Sequence, residues 1–196
     1  MLKIYAKALG LYQTNCYIVL NQGSTHCLII DPGYEADFIL DFLRDQGLTL
    51  DAILLTHGHF DHVGAVREIA AETDCQVYIA EADLSLPPQI TDGPLYYTHT
   101  FPRNGQLTLA GIPMVIIPTP GHTPGSVCIV MEDRMFSGDT LFAGSCGRTD
   151  LPGGSYSDIT DSLKKLASLT GDYTVHPGHG ESTTLADEKR YNPYMK

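Results

Sequence analysis

Short apolar runs separated by turn residues follow one another along the chain, and the spacing within each run predicts its conformation. Residues 2–9, 15–20 and 26–30 are rich in apolar and β-branched side chains, with Gly10 and Gly23 between them, and predict three opening antiparallel strands. The third ends at Asp31-Pro32-Gly33, a turn-forming sequence. Phe38, Ile39, Phe42 and Leu43 share one helical face, and Gly47 stops that helix. Residues 51–55, Asp-Ala-Ile-Leu-Leu, read as a buried strand; Val63, Val66, Ile69 and Ala70 recur at helical spacing through residue 73; and residues 76–80 read as another strand. Residues 81–86 read as a helical turn that Pro87-Pro88 ends.

The second half begins with a polar stretch, residues 89–104, whose Tyr96, Tyr97 and Phe101 can pin it to the surface as a loop; it can also lie over a site. Residues 106–110 and 113–117 predict a hairpin about Gly111, and residues 127–131 and 134–137 a second about Glu132-Asp133. Ile159, Leu163, Leu166 and Ala167 line one face of a helix over residues 155–170, closed by Gly171. Residues 173–175 predict a last strand, and residues 181–196 a polar tail. No fixed-period repeat interrupts this order. Periodicity alone gives a mixed α and β domain.

One stretch departs from core-and-surface logic. Thr56-His57-Gly58-His59-Phe60-Asp61-His62 carries three imidazoles and a carboxylate between a strand end and a helix. A buried imidazole needs partners, and an exposed cluster repels itself as it protonates. A metal ion removes both problems, and neutral imidazoles with carboxylates suit zinc, iron or manganese.

The HxHxDH run resembles the signature of the metallo-β-lactamase superfamily. Three further matches follow in that family's order: Thr119-Pro120-Gly121-His122-Thr123-Pro124-Gly125-Ser126, Phe136-Ser137-Gly138-Asp139-Thr140-Leu141-Phe142 and Pro177-Gly178-His179-Gly180. The similarity covers essentially the whole chain and implies a four-layer αββα sandwich, with residues 1–196 as a single domain. It assigns His57, His59 and His122 to one metal and Asp61, His62 and His179 to a second, with Asp139 bridging. No member of this set is replaced, so the resemblance implies two divalent ions, zinc first and iron or manganese as alternatives. Asp31 reads equally as a turn former and as a buttress behind the metal loop. Two close cations make a shared water acidic near neutral pH and stabilise an oxyanion, and Asp61, besides binding metal, orients the resulting hydroxide.

Within that family the loop Gly144-Ser145-Cys146-Gly147-Arg148-Thr149-Asp150 is similar to the one that meets glutathione in glyoxalase II hydrolases. It implies Gly147 and Arg148 as substrate contacts, Arg148 either gripping a substrate carboxylate or tying the loop down through Asp150. Cys146 reads as a small filler beside the site. The resemblance thus points to thioester hydrolysis, on S-lactoylglutathione or a related acyl thioester. Thiolate is a good leaving group, its thiol pKa being about 8.5, and needs no strong general acid. Two departures are visible. Glyoxalase II enzymes carry a C-terminal helical domain with further basic glutathione contacts, and seventeen residues follow His179 here. True β-lactamases usually lack an aspartate at the position of Asp139. The competing expectations are an iron-dependent persulfide dioxygenase, which shares a similar GCGRTD loop, then a lactonase or other esterase, and a metal-dependent nuclease.

Composition trims these. A net charge of −11, about −7 with two dications bound, argues against a nucleic-acid backbone as partner. No apolar leader and no run of membrane-spanning length is present, and the five cysteines are odd in number without CxxC spacing, which predicts reduced thiols in a cytoplasmic protein; the sequence leaves the oligomeric state open, a monomer being the favoured expectation. His26 and His99 have no motif around them, and His176 reads as a packed residue rather than a ligand.

Overall fold

The computed structural model describes all 196 residues, Met1–Lys196. Strand β1 (Leu2–Leu9) and β2 (Thr14–Asn21) form an antiparallel hairpin, and β3 (His26–Ile30) adds antiparallel to β2. Helix α1 (Ala36–Asp45) then crosses over to β4 (Thr49–Leu54), which runs parallel to β3. A short helix α2 (Phe60–Val63) and α3 (Val66–Thr73) lead to β5 (Gln76–Ile79), and after a helical turn α4 (Pro88–Thr91) β6 (His99–Thr100) closes a six-stranded sheet in sequential order.

The second sheet starts with an antiparallel meander, β7 (Gln106–Leu109), β8 (Ile112–Pro118), β9 (Val127–Met131) and β10 (Arg134–Gly138). A small hairpin, β11 (Leu141–Phe142) and β12 (Ser145–Cys146), follows. Helix α5 (Tyr156–Ala167) carries the chain to β13 (Thr174–Pro177), parallel to β10, and then to β14 (Thr183–Thr184) and α6 (Leu185–Tyr191).

Alternation along the strands builds the layers. Tyr17, Val19, Leu28 and Leu54 of the first sheet meet Ile116, Ile129 and Phe136 of the second in a core between the sheets. The neighbouring positions Cys16, Ile18, Ile29 and Ile53 face the other way, under Ile39 and Leu43 of α1 and Val66 and Ile69 of α3. Cys128, Met135 and Val175 likewise face Ile159 and Leu163 of α5 and Leu185 of α6. The result is the expected αββα sandwich. Strands buried on both faces read as unbroken apolar runs, and each fully buried Leu or Ile contributes roughly 1.5–3 kcal/mol.

Three segments differ from the sequence reading. The helix after the histidines starts earlier, at Phe60, and breaks between α2 and α3, so Asp61 and His62 stand on a helical turn. The stretch 89–104 is partly regular: a helical turn (Pro88–Thr91) runs into its start and β6 pairs with β5. The tail folds as β14, α6 and a 3-10 turn (Pro193–Met195), with Leu185, Glu188, Asn192 and Met195 buried. No helix is long and apolar enough to cross a membrane.

Candidate metal centre

Asp31, the 57–62 run, His122, Asp139 and His179 all lie just past the carboxyl end of a strand: β3, β4, β8, β10 and β13 respectively. Parallel pairing of β3 with β4 and of β10 with β13 sets those ends side by side. The loops therefore meet along one edge of the sandwich. There the donor atoms of His57, His59 and His122 cluster, as do those of Asp61, His62 and His179, with all atoms of a cluster within 4.8 Å of one another. Asp139 stands between the two groups, its Oδ1 3.4 Å from His62 Nε2 and its Oδ2 3.5 Å from both His122 Nε2 and His179 Nε2.

Hydrogen bonds on the far side of the rings decide where the lone pairs point. His62 Nδ1 donates to Asp31 Oδ2 at 2.9 Å, His122 Nδ1 to the Arg148 carbonyl at 2.8 Å and His179 Nδ1 to the Tyr12 carbonyl at 3.1 Å. Thr56 Oγ1 gives its proton to Asp31 Oδ2 at 2.5 Å and so can accept from His57 Nδ1 at 3.2 Å. Each of these four rings, when neutral, turns an unprotonated Nε2 into the centre. His57 Nε2, His59 Nε2, His62 Nε2 and Asp139 Oδ1 are buried with no protein partner. Orphaned buried donors of this kind are costly unless a cation takes them. His122 Nε2 also faces His59 Nδ1 at 2.8 Å, a contact that only a shared proton or a cation makes favourable. The residues fit divalent metal ions.

Protonation follows the same geometry. Burial, then the neighbouring His62, His122 and His59, press His57 well below its ordinary value, and burial with His122 and His62 lowers His59 to about 4. Burial opposes charge on His62 as well, but Asp139 and Asp31 outweigh it and raise that ring well above the usual value. His179 is raised against burial by its contact with Asp61 and by Asp139. Asp61 and Asp139 are held low by the histidines despite burial. The carboxylates thus favour a proton on His62 and His179, while His57 and His59 stay neutral, the form in which an imidazole can bind a cation.

Two buried carboxylates brace the loops from behind. Asp31, in a left-handed conformation at φ 52°, accepts the Thr56 amide and hydroxyl as well as His62. That is the buttressing role, made possible by the turn. Asp83, fully buried, accepts the Gly58 amide at 2.8 Å, the Thr123 hydroxyl at 2.9 Å and the Gly125 amide at 2.6 Å. It ties the His57–His59 loop to the His122 loop, and sequence reasoning missed it: one acid in a helical turn carries no motif. Close approach explains two glycines. A Cβ on Gly178 would lie 2.1 Å from Asp139 Oδ1 and 2.7 Å from His62 Cε1, and one on Gly147 would lie 1.8 Å from the Asp139 carbonyl oxygen.

A cavity of 520 Å³ opens onto the centre, walled by Tyr12, Phe60, Ile90, Phe142, Arg148 and Leu151 beside the donor residues. Arg148 does not point free into it, since its Nε and Nη2 grip Asp150 at 2.7 and 2.8 Å. Gly147 lies beneath, against Asp139, rather than in the wall. Cys146 also lines the cavity, and burial raises its thiol pKa, the opposite of what a poised nucleophile needs. All five cysteines are unpaired. The three remaining histidines lie outside the donor groups: His26 pairs with Asp51 at 2.6 Å, His99 stacks on Tyr78, and His176 stacks on Phe136. The folded tail reaches the cavity wall indirectly. Glu188 accepts the Gly144 amide, and Asn192 Nδ2 donates to the carbonyls of Phe142 and Ser145.

The chain is similar to known proteins along nearly its whole length. A family model described as "Metallo-beta-lactamase superfamily" matches residues 9–179. Hydroxyacylglutathione hydrolase GloC of Haemophilus influenzae is 35% identical, with 94% of this chain and 93% of that protein covered. The solved structure of the BLEG-1 B3 metallo-beta-lactamase superposes with a TM-score of 0.91 at 34% identity, covering 99% of this chain and 100% of that one. TTHA1623 in a di-iron-bound form gives 0.83 at 39% identity, covering 97% and 99%.

Proposed function

The chain belongs to the metallo-beta-lactamase superfamily, and from that premise we propose that it is a dinuclear metallohydrolase that cleaves acyl thioesters, akin to glyoxalase II. The observation that carries the two-metal reading is the set of four buried, unpartnered donor atoms on His57, His59, His62 and Asp139, flanked by the second group on Asp61 and His179. His57, His59 and His122 would hold one ion, Asp61, His62 and His179 the other, and Asp139 would touch both. Imidazole and carboxylate donors without thiolate suit zinc, and the di-iron form of TTHA1623 supports iron as the alternative.

Divalent ions in such a site bring the pKa of a bound water towards neutrality and stabilise the oxyanion that forms on a carbonyl. The chain supplies position. Thr14 Oγ1 donates to Asp61 Oδ2 at 3.1 Å and fixes that carboxylate facing the centre, where it can accept a hydrogen bond from the attacking water and orient it. The water oxygen adds to the thioester carbonyl carbon, and the carbon–sulfur bond then breaks with sulfur keeping the electron pair. The products are a carboxylate, a thiol and one proton. A thiolate leaves without an acid to protonate it, whereas an amide nitrogen would need one. The relation to GloC supports the thioester reading.

The test is metal content of protein purified without added metal, with three assays on the same sample. Two metals per chain with thiol release from S-lactoylglutathione or a simple acyl thioester is the expected result. One iron with oxygen uptake on glutathione persulfide would replace this reading with persulfide oxidation. Ring opening of a β-lactam without thioester cleavage would move it to amide hydrolysis.

A further inference from the structure

Strand β1 forms one edge of the first sheet and pairs only with β2. The Met1 carbonyl accepts the Gln22 amide, so along this antiparallel pair the odd-numbered residues of β1 exchange hydrogen bonds with β2. Ile4, Ala6 and Ala8 therefore turn their amides and carbonyls outward, a free template for another strand. Beside that edge a groove of 360 Å³ runs between β1 and helix α1, walled by Tyr5, Leu9, Ile18, Phe38 and Phe42 and apolar but for Lys7. Tyr5 and Phe42 meet edge-on with ring centroids 4.9 Å apart, and Phe38 is 46% exposed. Two exposed cations flank the groove. Lys3 Nζ stands 4.6 Å from the centre of the Tyr5 ring and Lys7 Nζ 5.8 Å from that of Phe38, and neither ammonium is paired with an acid. The groove shares no residue with the cavity at the metal centre.

We infer that this edge and groove dock an extended acidic segment of another protein, which adds as a strand beside β1, sets acids against Lys3 and Lys7 and lays an apolar side chain between them in the groove. Three features select that occupant. Lys3, Tyr5 and Lys7 share one face of the strand, and the lysines stand roughly 13 Å apart at about 3.3 Å per residue. One carboxylate head cannot meet both, whereas acids four positions apart on a neighbouring strand lie directly opposite them. The outward amides and carbonyls call for main-chain partners, which a peptide supplies and a lipid tail does not. A second copy of this chain fits poorly, because antiparallel pairing of two β1 strands centred on Tyr5 sets each Lys3 opposite a Lys7. The cationic edge is also a local exception on a chain of net charge −11, so it selects against most of the protein's own surface.

The experiment follows fluorescence anisotropy of two labelled peptides titrated with the full-length, metal-loaded protein. One is Thr-Glu-Thr-Leu-Thr-Glu-Thr and the other has lysine for glutamate; the pattern reads alike in both directions, so strand polarity does not matter. Bulk electrostatics on a protein of net charge −11 would favour the basic peptide. The acidic peptide is instead expected to bind at least tenfold more tightly, and the double variant Lys3→Glu, Lys7→Glu to reverse the order. Ala6→Pro removes an outward amide without touching the ladder to β2, and should weaken the acidic peptide at least tenfold while circular dichroism stays parental. Ala8→Pro tests the same edge should that variant not fold. Binding of neither peptide, a preference for the basic one, or an acidic preference that survives the lysine changes overturns the inference. Undiminished binding by a folded proline variant overturns strand addition. Uptake of laurate without peptide binding gives the groove to a lipid, and dimerisation of the parent that the proline abolishes gives the edge to a second copy; either result overturns the acidic partner.

Discussion

Asp83 accepts the amide proton of Gly58, the residue between His57 and His59, at 2.8 Å, and so fixes one metal loop from a segment 25 residues away. Its other oxygen holds Gly125, just past His122. The three histidines of one donor group thus share a single carboxylate brace, although none of them touches it.

Replacing Asp83 with alanine strands two amides and a hydroxyl in a buried site. Each unmet donor costs about 1–3 kcal/mol, and some relaxation is expected, so urea unfolding of metal-free protein should show a loss of roughly 2–4 kcal/mol. Metal affinity at the three-histidine group should fall about 10–100-fold, the usual consequence of removing an outer brace. Chelator competition checks this: the variant should retain one metal at chelator levels where the parent holds two. Equal retention would mean that Asp83 serves folding alone.

Much of this centre was legible in the sequence for a physical reason. Metal chemistry demands particular side chains, and the strand-to-helix loop packs four of them into six positions, His57 to His62, so composition alone raises an alarm. The strands were legible because burial on both faces leaves unbroken apolar runs such as Ile53-Leu54-Leu55. Asp83 was not, because its partners stand 25 to 42 residues away and a buried acid looks like any exposed one. The tail was misread for a related cause. Leu185, Glu188, Asn192 and Met195 have helical spacing, but two of the four are polar, so no apolar stripe shows; only the structure reveals that Glu188 and Asn192 point inward to satisfy a loop.

That inward face makes a prediction about the cavity. Glu188→Ala removes the acceptor of the Gly144 amide and of the Asn192 and Thr183 side chains, loosening the β11–β12 hairpin that carries Phe142 and Cys146. Bound metal should stay at the parental level, because no donor residue is touched, while KM for a thioester rises about threefold to tenfold. Metal analysis alongside steady-state kinetics separates the two. A parallel fall in metal content would show the tail to brace the centre itself.

Gly178 admits the other metal loop. A methyl there would overlap Asp139 Oδ1 and crowd His62, two donors on either side of the second group. Gly178→Ala should therefore weaken that group by at least about tenfold and reduce turnover with it, in the range seen when positioning around a metal is lost. The fold should survive, since the strain is relieved at an edge loop. Circular dichroism with metal titration tests both halves; unchanged affinity would mean that β13 shifts enough to absorb the methyl.

His176 gives the last prediction, and it concerns stability. The ring is stacked against Phe136 with Tyr17 edge-on, its Nε2 buried and unpartnered, while Nδ1 reaches Ser182 at 3.2 Å. Burial, aided by Arg134 and opposed by Asp133, lowers its pKa to about 4 from the ordinary 6.5. Below pH 6.5 the unfolded chain takes up a proton that the folded chain refuses, so acid favours unfolding until about pH 4, where both states hold it. His176→Phe should fit the same aromatic stack and remove this linkage. The difference in unfolding free energy between the variant and the parent should grow in the variant's favour as pH falls from 6.5 to 4, by at most about 1.4 kcal/mol per pH unit. The donor histidines titrate in both proteins and cancel in that difference. A difference independent of pH across the window would show that the ring is already solvated or charged when folded, against its placement between Tyr17 and Phe136.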